Sequence, residues 1–307
     1  MGSKVLTVTL NPAIDRIVRI EKMLVGRDHC STAAMALAGG KGVNAARALC
    51  ALEVPVQATG LCGGVAGDLL TALLTQEGLP HAFVRIAGAT RINTTIMDRA
   101  GAVTRVIETG PRVTAGEQRT FMVQLLQQAK ACEAVLFCGR LPPGISGAAL
   151  VRMIAAVKQK VSLVAVDTSG LALKAVLKAG VDIIKPNRAE AEEVLGWHLT
   201  SESRVARALD AFLNHGIKNV LISLGQDGLA ASNGQEMLWV RVPPVKGGHA
   251  VGCGDAALAG FVAGHLAGKP FAACVDQAAA CGTANMFAVI PGGISRNIIR
   301  KLGLKKY

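Results

Sequence analysis

Short, mainly apolar runs rich in β-branched residues recur along this chain, at residues 5–10, 56–60, 134–138, 163–167, 181–185 and 219–223. Glycine, proline or asparagine punctuates most of them. Segments of helical period fall between or after them, at 42–52, 68–77, 147–157, 171–178 and 188–195. A strand with one wet face alternates polar and apolar residues, so a strand that is apolar throughout must be covered on both sides. Fully apolar strands alternating with helices predict an α/β fold: a mostly parallel central sheet with helices on both faces and right-handed crossovers.

Two stretches break the rhythm. Residues 16–20 and 32–37 precede the first helix, and 91–98 with 103–108 form a hairpin about residues 99–101. Their polar–apolar alternation predicts a small antiparallel sheet exposed on one face. Lid segments at about 14–38 and 90–110 would then grow out of one domain spanning 1–307. With 51% hydrophobic and 18% charged residues, disorder is excluded. The 35 glycines and 3% aromatic content suit close helix–strand packing.

The charge surplus, +12, points to anionic partners but does not choose among a metabolite phosphate, a nucleic acid and a membrane surface. Half of it falls in residues 241–307, which hold eight basic and two acidic side chains. Arg300, Lys301, Lys305 and Lys306 there read as a solvated polar tail. Base-stacking aromatics are scarce, and neither a helix-turn-helix nor a zinc-finger pattern occurs, so no nucleic-acid partner is expected. The uncharged stretches 256–268 and 277–295 carry His265, Asn285, Pro291 and many glycines, and Lys269 and Asp276 separate them. Neither predicts a membrane span. The eight cysteines show no CxxC pair or metal spacing. With no leader legible, a reducing cytoplasm is expected.

Four motifs can carry chemistry. In Ala38-Gly39-Gly40-Lys41-Gly42-Val43-Asn44-Ala45-Ala46-Arg47, paired glycines open a helix, leaving bare N–H groups for an oxygen-rich ligand and Asn44 to bond a hydroxyl. In Gly252-Cys253-Gly254-Asp255-Ala256-Ala257, glycine-flanked N–H groups can form an anion hole. Asp255, in the first helical turn, can take a proton from a hydroxyl attacking phosphorus. The same string fits the dinucleotide pattern GxGxxA, with Asp276 about the right distance downstream, so a dinucleotide-dependent oxidoreductase is an alternative. Asp255 would then stand where a pyrophosphate should lie, and no long strand precedes the motif. In Lys185-Pro186-Asn187-Arg188-Ala189-Glu190, at a strand end, Asn187 and Glu190 can orient waters on Mg²⁺. Ser223-Leu224-Gly225-Gln226-Asp227-Gly228 runs from a strand into a glycine turn. No GxxxxGK[ST] is present, which excludes a P-loop nucleotide site.

In this order the motifs resemble the ribokinase-like (PfkB) sugar kinases over nearly the whole chain, most closely the branch of 1-phosphofructokinase and tagatose-6-phosphate kinase. Residues 9–15 (Thr-Leu-Asn-Pro-Ala-Ile-Asp), Thr90-Arg91-Ile92-Asn93 and Leu141-Pro142-Pro143-Gly144 fit the same pattern. The resemblance implies an ATP- and Mg²⁺-dependent kinase for a ketohexose phosphate, with fructose 1-phosphate the preferred substrate. It implies Asp255 as the base and the N–H groups of Gly252, Cys253 and Gly254 as stabilisers of the moving phosphoryl group. Asp15, Gly39, Gly40 and Asn44 would hold sugar hydroxyls and Arg91 the substrate phosphate, with Lys41 and Arg27 adding positive charge. Lys185, Asn187, Ser223, Gly225, Gly228 and Asn285 would serve ATP, and Asn187 and Glu190 would act through Mg²⁺. It further implies a homodimer paired through the lid. The chain departs from the family at Arg140, where serine is usual, at Cys253, where alanine is usual, and at His249-Ala250-Val251, where a threonine is usual.

Overall fold

A computed structural model describes residues 5–245 and 248–302. They form, in chain order, β1 (Val5–Thr9), β2 (Ala13–Ile20), β3 (Ala33–Gly39), α1 (Lys41–Ala51), β4 (Val56–Cys62), α2 (Gly64–Gln76), β5 (Val84–Arg85), β6 (Arg91–Asp98), β7 (Val103–Val106), α3 (Ala115–Ala129), β8 (Ala134–Cys138), α4 (Gly147–Lys158), β9 (Leu163–Asp167), α5 (Gly170–Val176), β10 (Ile183–Ile184), α6 (Arg188–Leu195), α7 (Glu202–Leu213), β11 (Asn219–Ser223), β12 (Leu229–Ser232), β13 (Met237–Val240), α8 (Cys253–Leu266), α9 (Phe271–Asn285) and α10 (Arg296–Leu302).

Nine of the strands make one sheet in the order β13-β12-β11-β10-β9-β8-β1-β4-β5, parallel except for β12 and β13 at one edge. The apolar strands alternate between two cores, as the pleat requires. On β8, Ala134, Leu136 and Cys138 face the core shared with α1, α2, α8 and α9, whereas Val135 and Phe137 face that of α3, α4, α5 and α7. The expected α/β architecture, covered on both faces, is therefore the one observed.

The small sheet has the order β3-β2-β6-β7. The reading of it as antiparallel holds only in part, because β2 and β6 run parallel, Asp15 opposite Asn93. Between them the chain passes through β3, α1, β4, α2 and β5, which is ample for the crossover that a parallel pair needs. A second correction concerns the basic end. Arg300 and Lys301 belong to α10, whose Ile298, Ile299 and Leu302 pack against the core. Arg296 of that helix pairs with Glu53. Lys305 and Lys306 lie outside the described residues. Among the described residues no helix is long and apolar enough to cross a membrane.

Candidate active site

Two groups of polar side chains meet where the carboxyl ends of the large sheet approach the small one. In the small sheet, Asp15 of β2 lies against the end of β3. A Cβ on Gly39 would stand 2.2 Å from the Asp15 carboxylate, so only glycine admits that contact. Asn93 donates to Asp15 Oδ1 at 2.8 Å. Burial raises the Asp15 carboxyl above its ordinary value; the Asn93 bond and the charges of Arg91, Arg47 and Arg105 oppose it. The Arg91 guanidinium donates to the carbonyls of Glu108 at 2.8 Å and Asn11 at 3.0 Å, and its buried Nε has no partner. Burial and the nearby charge of Arg140 lower Arg91 from its ordinary value, against the pull of Asp15. Arg91 borders a cavity of about 690 Å³, lined also by Gly88, Glu108, Pro111 and Arg112. Converging guanidiniums beside an open cavity suit an oxyanion.

The large sheet supplies a buried charge cluster. Lys41, the first residue of α1, places Nζ 2.6 Å from Asp167 Oδ1 and 3.2 Å from Glu190 Oε1. Lys185 Nζ lies 2.9 Å from the other Asp167 oxygen. Asp167, at the end of β9, is only 1% exposed. Burial opposes its charge, but the two lysines outweigh that and hold its carboxyl below the ordinary value. Lys41 is likewise held protonated, since Asp167, Glu190 and Asp255 together overcome its burial.

Asp255 sits in the first turn of α8, 7% exposed. Asn44 of α1 donates to its Oδ2 at 2.8 Å. Asn44 is itself fixed by Arg47, which donates to its Oδ1 at 3.1 Å and pairs with Glu77 at 2.6 Å. Burial first, and then the charge of Asp167, push the Asp255 carboxyl up to about 6, with Lys41, Asn44 and Lys185 pulling the other way. That is a base tuned toward neutral pH.

The turn before Asp255 is left-handed at Gly252, with φ 86°, and a Cβ there would stand 2.9 Å from the Pro291 ring. A Cβ on Gly254 would fall 2.9 Å from Lys185 Nζ, so the ammonium lies against that backbone. No side chain caps α8. The Cys253 N–H reaches back to the Ala250 carbonyl at 3.3 Å, and those of Gly252 and Gly254 are left available to an anion.

The lysine–proline–asparagine segment and the Ser223–Gly228 turn are neighbours, joined by a backbone bridge between Asn187 and Ser223 and by the Arg188–Asp227 ion pair. Gly225 to Asp227 form one 3₁₀ turn, and Gly228 presses against the Val240 carbonyl. Asn187 and Glu190 form a capping box on α6: the Asn187 side chain accepts from Glu190 N, and Glu190 from Asn187 N, both at 2.9 Å. The Asn187 amide oxygen is thus engaged by the helix, whereas Glu190 Oε1 faces Lys41.

Two expected residues do not join the site. Arg27 lies in the exposed connection beyond Ile20, past the end of β2 remote from Asp15. Asn285 is fully buried, and its amide holds the backbone of Val251 and Gly292 instead of offering itself to a ligand. Four residues to which the sequence reading gave no role belong here: Asp167 and Arg105, outside the motifs, and Arg47 and Asn93, within them. Of these, Asp167 carries a sequence signal, an acidic residue closing a wholly apolar strand. The dinucleotide alternative fails on position, since α8 follows a long connection from β13 and not a strand, and Asp255 fills the turn.

Comparison with known proteins agrees with this geometry. The model of the pfkB family carbohydrate kinases matches residues 13–288. A 1-phosphofructokinase of Vibrio cholerae is 34% identical over 266 residues, covering 87% of this chain and 84% of that one. A tagatose-6-phosphate kinase of Staphylococcus epidermidis is 28% identical over 294 residues, 95% and 94% of the two chains. The Escherichia coli phosphofructokinase-2 structure in complex with fructose-6-phosphate superposes with a TM-score of 0.90, at 28% identity and 98% coverage of both chains. The chain belongs to the pfkB family of carbohydrate kinases, enzymes that transfer a phosphoryl group to an alcohol.

Proposed function

We propose that this kinase transfers the γ-phosphoryl group of ATP to a free hydroxyl of a ketohexose phosphate, with fructose 1-phosphate as the preferred substrate and fructose 1,6-bisphosphate as the product. The observation that carries this reading is Asp255: a buried carboxylate at the start of an uncapped helix, fixed by Asn44, raised to about 6 and flanked by Lys41 and Lys185. The sugar hydroxyl gives its proton to Asp255 as its oxygen forms the new bond to phosphorus. The bond to the β-phosphate oxygen breaks and ADP departs. The N–H groups of Gly252, Cys253 and Gly254 face the charge spreading over the equatorial oxygens, where fixed donors act with no cost of reorientation. Asp15, Gly39, Gly40 and Asn44 hold and orient the sugar, and Arg91, with Arg140 nearby, takes its phosphate. The segments bearing Lys185, Ser223, Gly225 and Gly228 form the nucleotide side.

Mg²⁺ fits this site. The carboxylates of Asp167 and Glu190 converge on one ammonium and offer hard oxygen donors suited to a hydrated ion. Glu190, with Asn187 at the helix cap, would hold it through water, and it would neutralise phosphate charge. We further propose one kinase unit over 1–307 acting in the cytoplasm. Two copies would pair through the lid, where Met35, Ile92, Val103 and Val106 are exposed. An ADP-release assay across fructose 1-phosphate, tagatose 6-phosphate, fructose 6-phosphate and free fructose tests the substrate. A kcat/KM for free fructose equal to that for every phosphorylated ketose would overturn it.

A further inference from the structure

His249 stands in the connection before α8, and both of its ring nitrogens face carbonyl oxygens. Nδ1 lies 3.1 Å from Val251 O and Nε2 2.9 Å from Ala288 O. A carbonyl only accepts, and a neutral imidazole carries one N–H, so only the doubly protonated ring can donate to both.

What the ring grips is one side of a peptide plane. The Val251 carbonyl and the Gly252 N–H belong to the same trans peptide and point in opposite directions. A donor that fixes Val251 O therefore fixes where the first N–H of the anion hole points. Two donors do this: Asn285 Nδ2 at 2.7 Å, and His249. Asn285 also receives Gly292 N–H at 2.7 Å, and His249 reaches Ala288, so both side chains fasten the turn to the segment after α9. A donor on the carbonyl also polarises the amide and strengthens its N–H as a donor on the other side.

We propose that His249 is a positioning residue for phosphoryl transfer: its ring clamps the Val251 carbonyl to the loop after α9 and so aims the Gly252 N–H at the transferring group. The inference rests on the anion-hole reading above. Few ionisable groups face the ring. Residues 286–292 carry no ionisable side chain. From the helix side come Cys253, whose thiol burial holds above its ordinary value and whose Sγ lies 3.7 Å from His249 O, and Asp255 half a turn further on. Asn285 of α9 is neutral.

The test compares His249→Gln, His249→Leu and Asp255→Asn with the unaltered enzyme, reading kcat and ketose KM. A single anion-hole donor is worth about 10²–10³ in kcat when removed outright. Misaiming it should cost less, and we expect kcat to fall about 10-fold or more in His249→Leu with the ketose KM within about twofold. His249→Gln, which keeps one donor, should recover part of the loss. A His249→Leu enzyme with unchanged kcat would overturn the proposal, and so would a loss confined to KM. If Asp255→Asn abolishes turnover while His249→Leu does nothing, only the clamp is lost. If Asp255→Asn retains turnover, the reading beneath it fails as well.

Discussion

The two sheets place charge in opposite ways. At the carboxyl edge of the nine-stranded sheet, charges are buried and paired: Asp167 is 1% exposed and lies between two lysines. The four-stranded sheet holds its polar groups half-buried, tied by bonds to neutral partners such as Asn93 and backbone carbonyls. Buried paired charges cannot relax toward water. They suit a transition state, which needs a preorganised field. Half-buried groups on a thin sheet can adapt to a ligand, and they suit selection of the substrate. Changes in the large sheet should thus fall on kcat and stability, and changes in the small sheet on KM.

The sharpest way to break this division is Asp255→Asn. Loss of a general base in a preorganised field costs about 10²–10⁴ in kcat; we expect roughly 10³ with ATP affinity unchanged by isothermal titration. In the unaltered enzyme kcat should fall about tenfold per pH unit below about 6, where Asp255 becomes protonated. Stability runs the other way. The folded-state value lies above the ordinary 3.8, so the stabilisation from a protonated Asp255 is complete below about 4 and is lost as pH rises through about 6. Asp255→Asn should therefore show a melting temperature at pH 7.5 at least equal to that of the unaltered enzyme.

Asp167→Asn comes next. It leaves Lys185, 2% exposed, without its carboxylate, and stranding one partner of a buried pair costs about 3–5 kcal/mol. Urea unfolding should show that loss; a change under 1 kcal/mol would mean that water reaches the pair. In the small sheet, Arg91→Ala should raise the KM for the phosphorylated ketose about 10- to 100-fold, in line with the loss of a charge-assisted bond, with kcat within threefold. An equal loss in kcat would dissolve the division between the sheets.

How much of this was legible in the sequence follows the same line. The parallel strands and their covering helices were readable because burial on both faces leaves unbroken apolar runs. Helices α3 and α7 lie outside that reading although each begins at a cap, Thr114 with Glu117 and Ser201. Their apolar positions, Phe121 and Leu125 or Val205 and Phe212, are diluted by polar residues on the wet side. Glycine motifs marked the turns around Asp255 and Lys41, since backbone that must approach a ligand excludes side chains. Asp167, Arg47 and Asn93 matter through partners distant in sequence: Lys41 is 126 residues from Asp167, and Asp15 is 78 from Asn93. No local pattern encodes such a meeting. Asn285 shows the converse, a residue expected to serve ATP whose buried amide holds the backbone of Val251 and Gly292.

The smallest change separates the sheets most cleanly. Asn93→Ala removes the bond that most opposes the burial of Asp15. Asp15 is already above its ordinary value and should rise further, so that it becomes protonated at a higher pH. A protonated carboxyl is a poorer acceptor for a sugar hydroxyl, so substrate capture should weaken as pH falls. The profile of kcat/KM reports the free enzyme and that of kcat the loaded one. We expect the acid limb of kcat/KM to move to higher pH in Asn93→Ala, with a loss of about three- to tenfold on that limb from one hydrogen bond to a charged group. The acid limb of kcat, set by Asp255 across the cleft, should stay at about 6. Limbs that shift together would mean that Asp15 and Asp255 titrate as one system, and that the small sheet reaches into the chemical step.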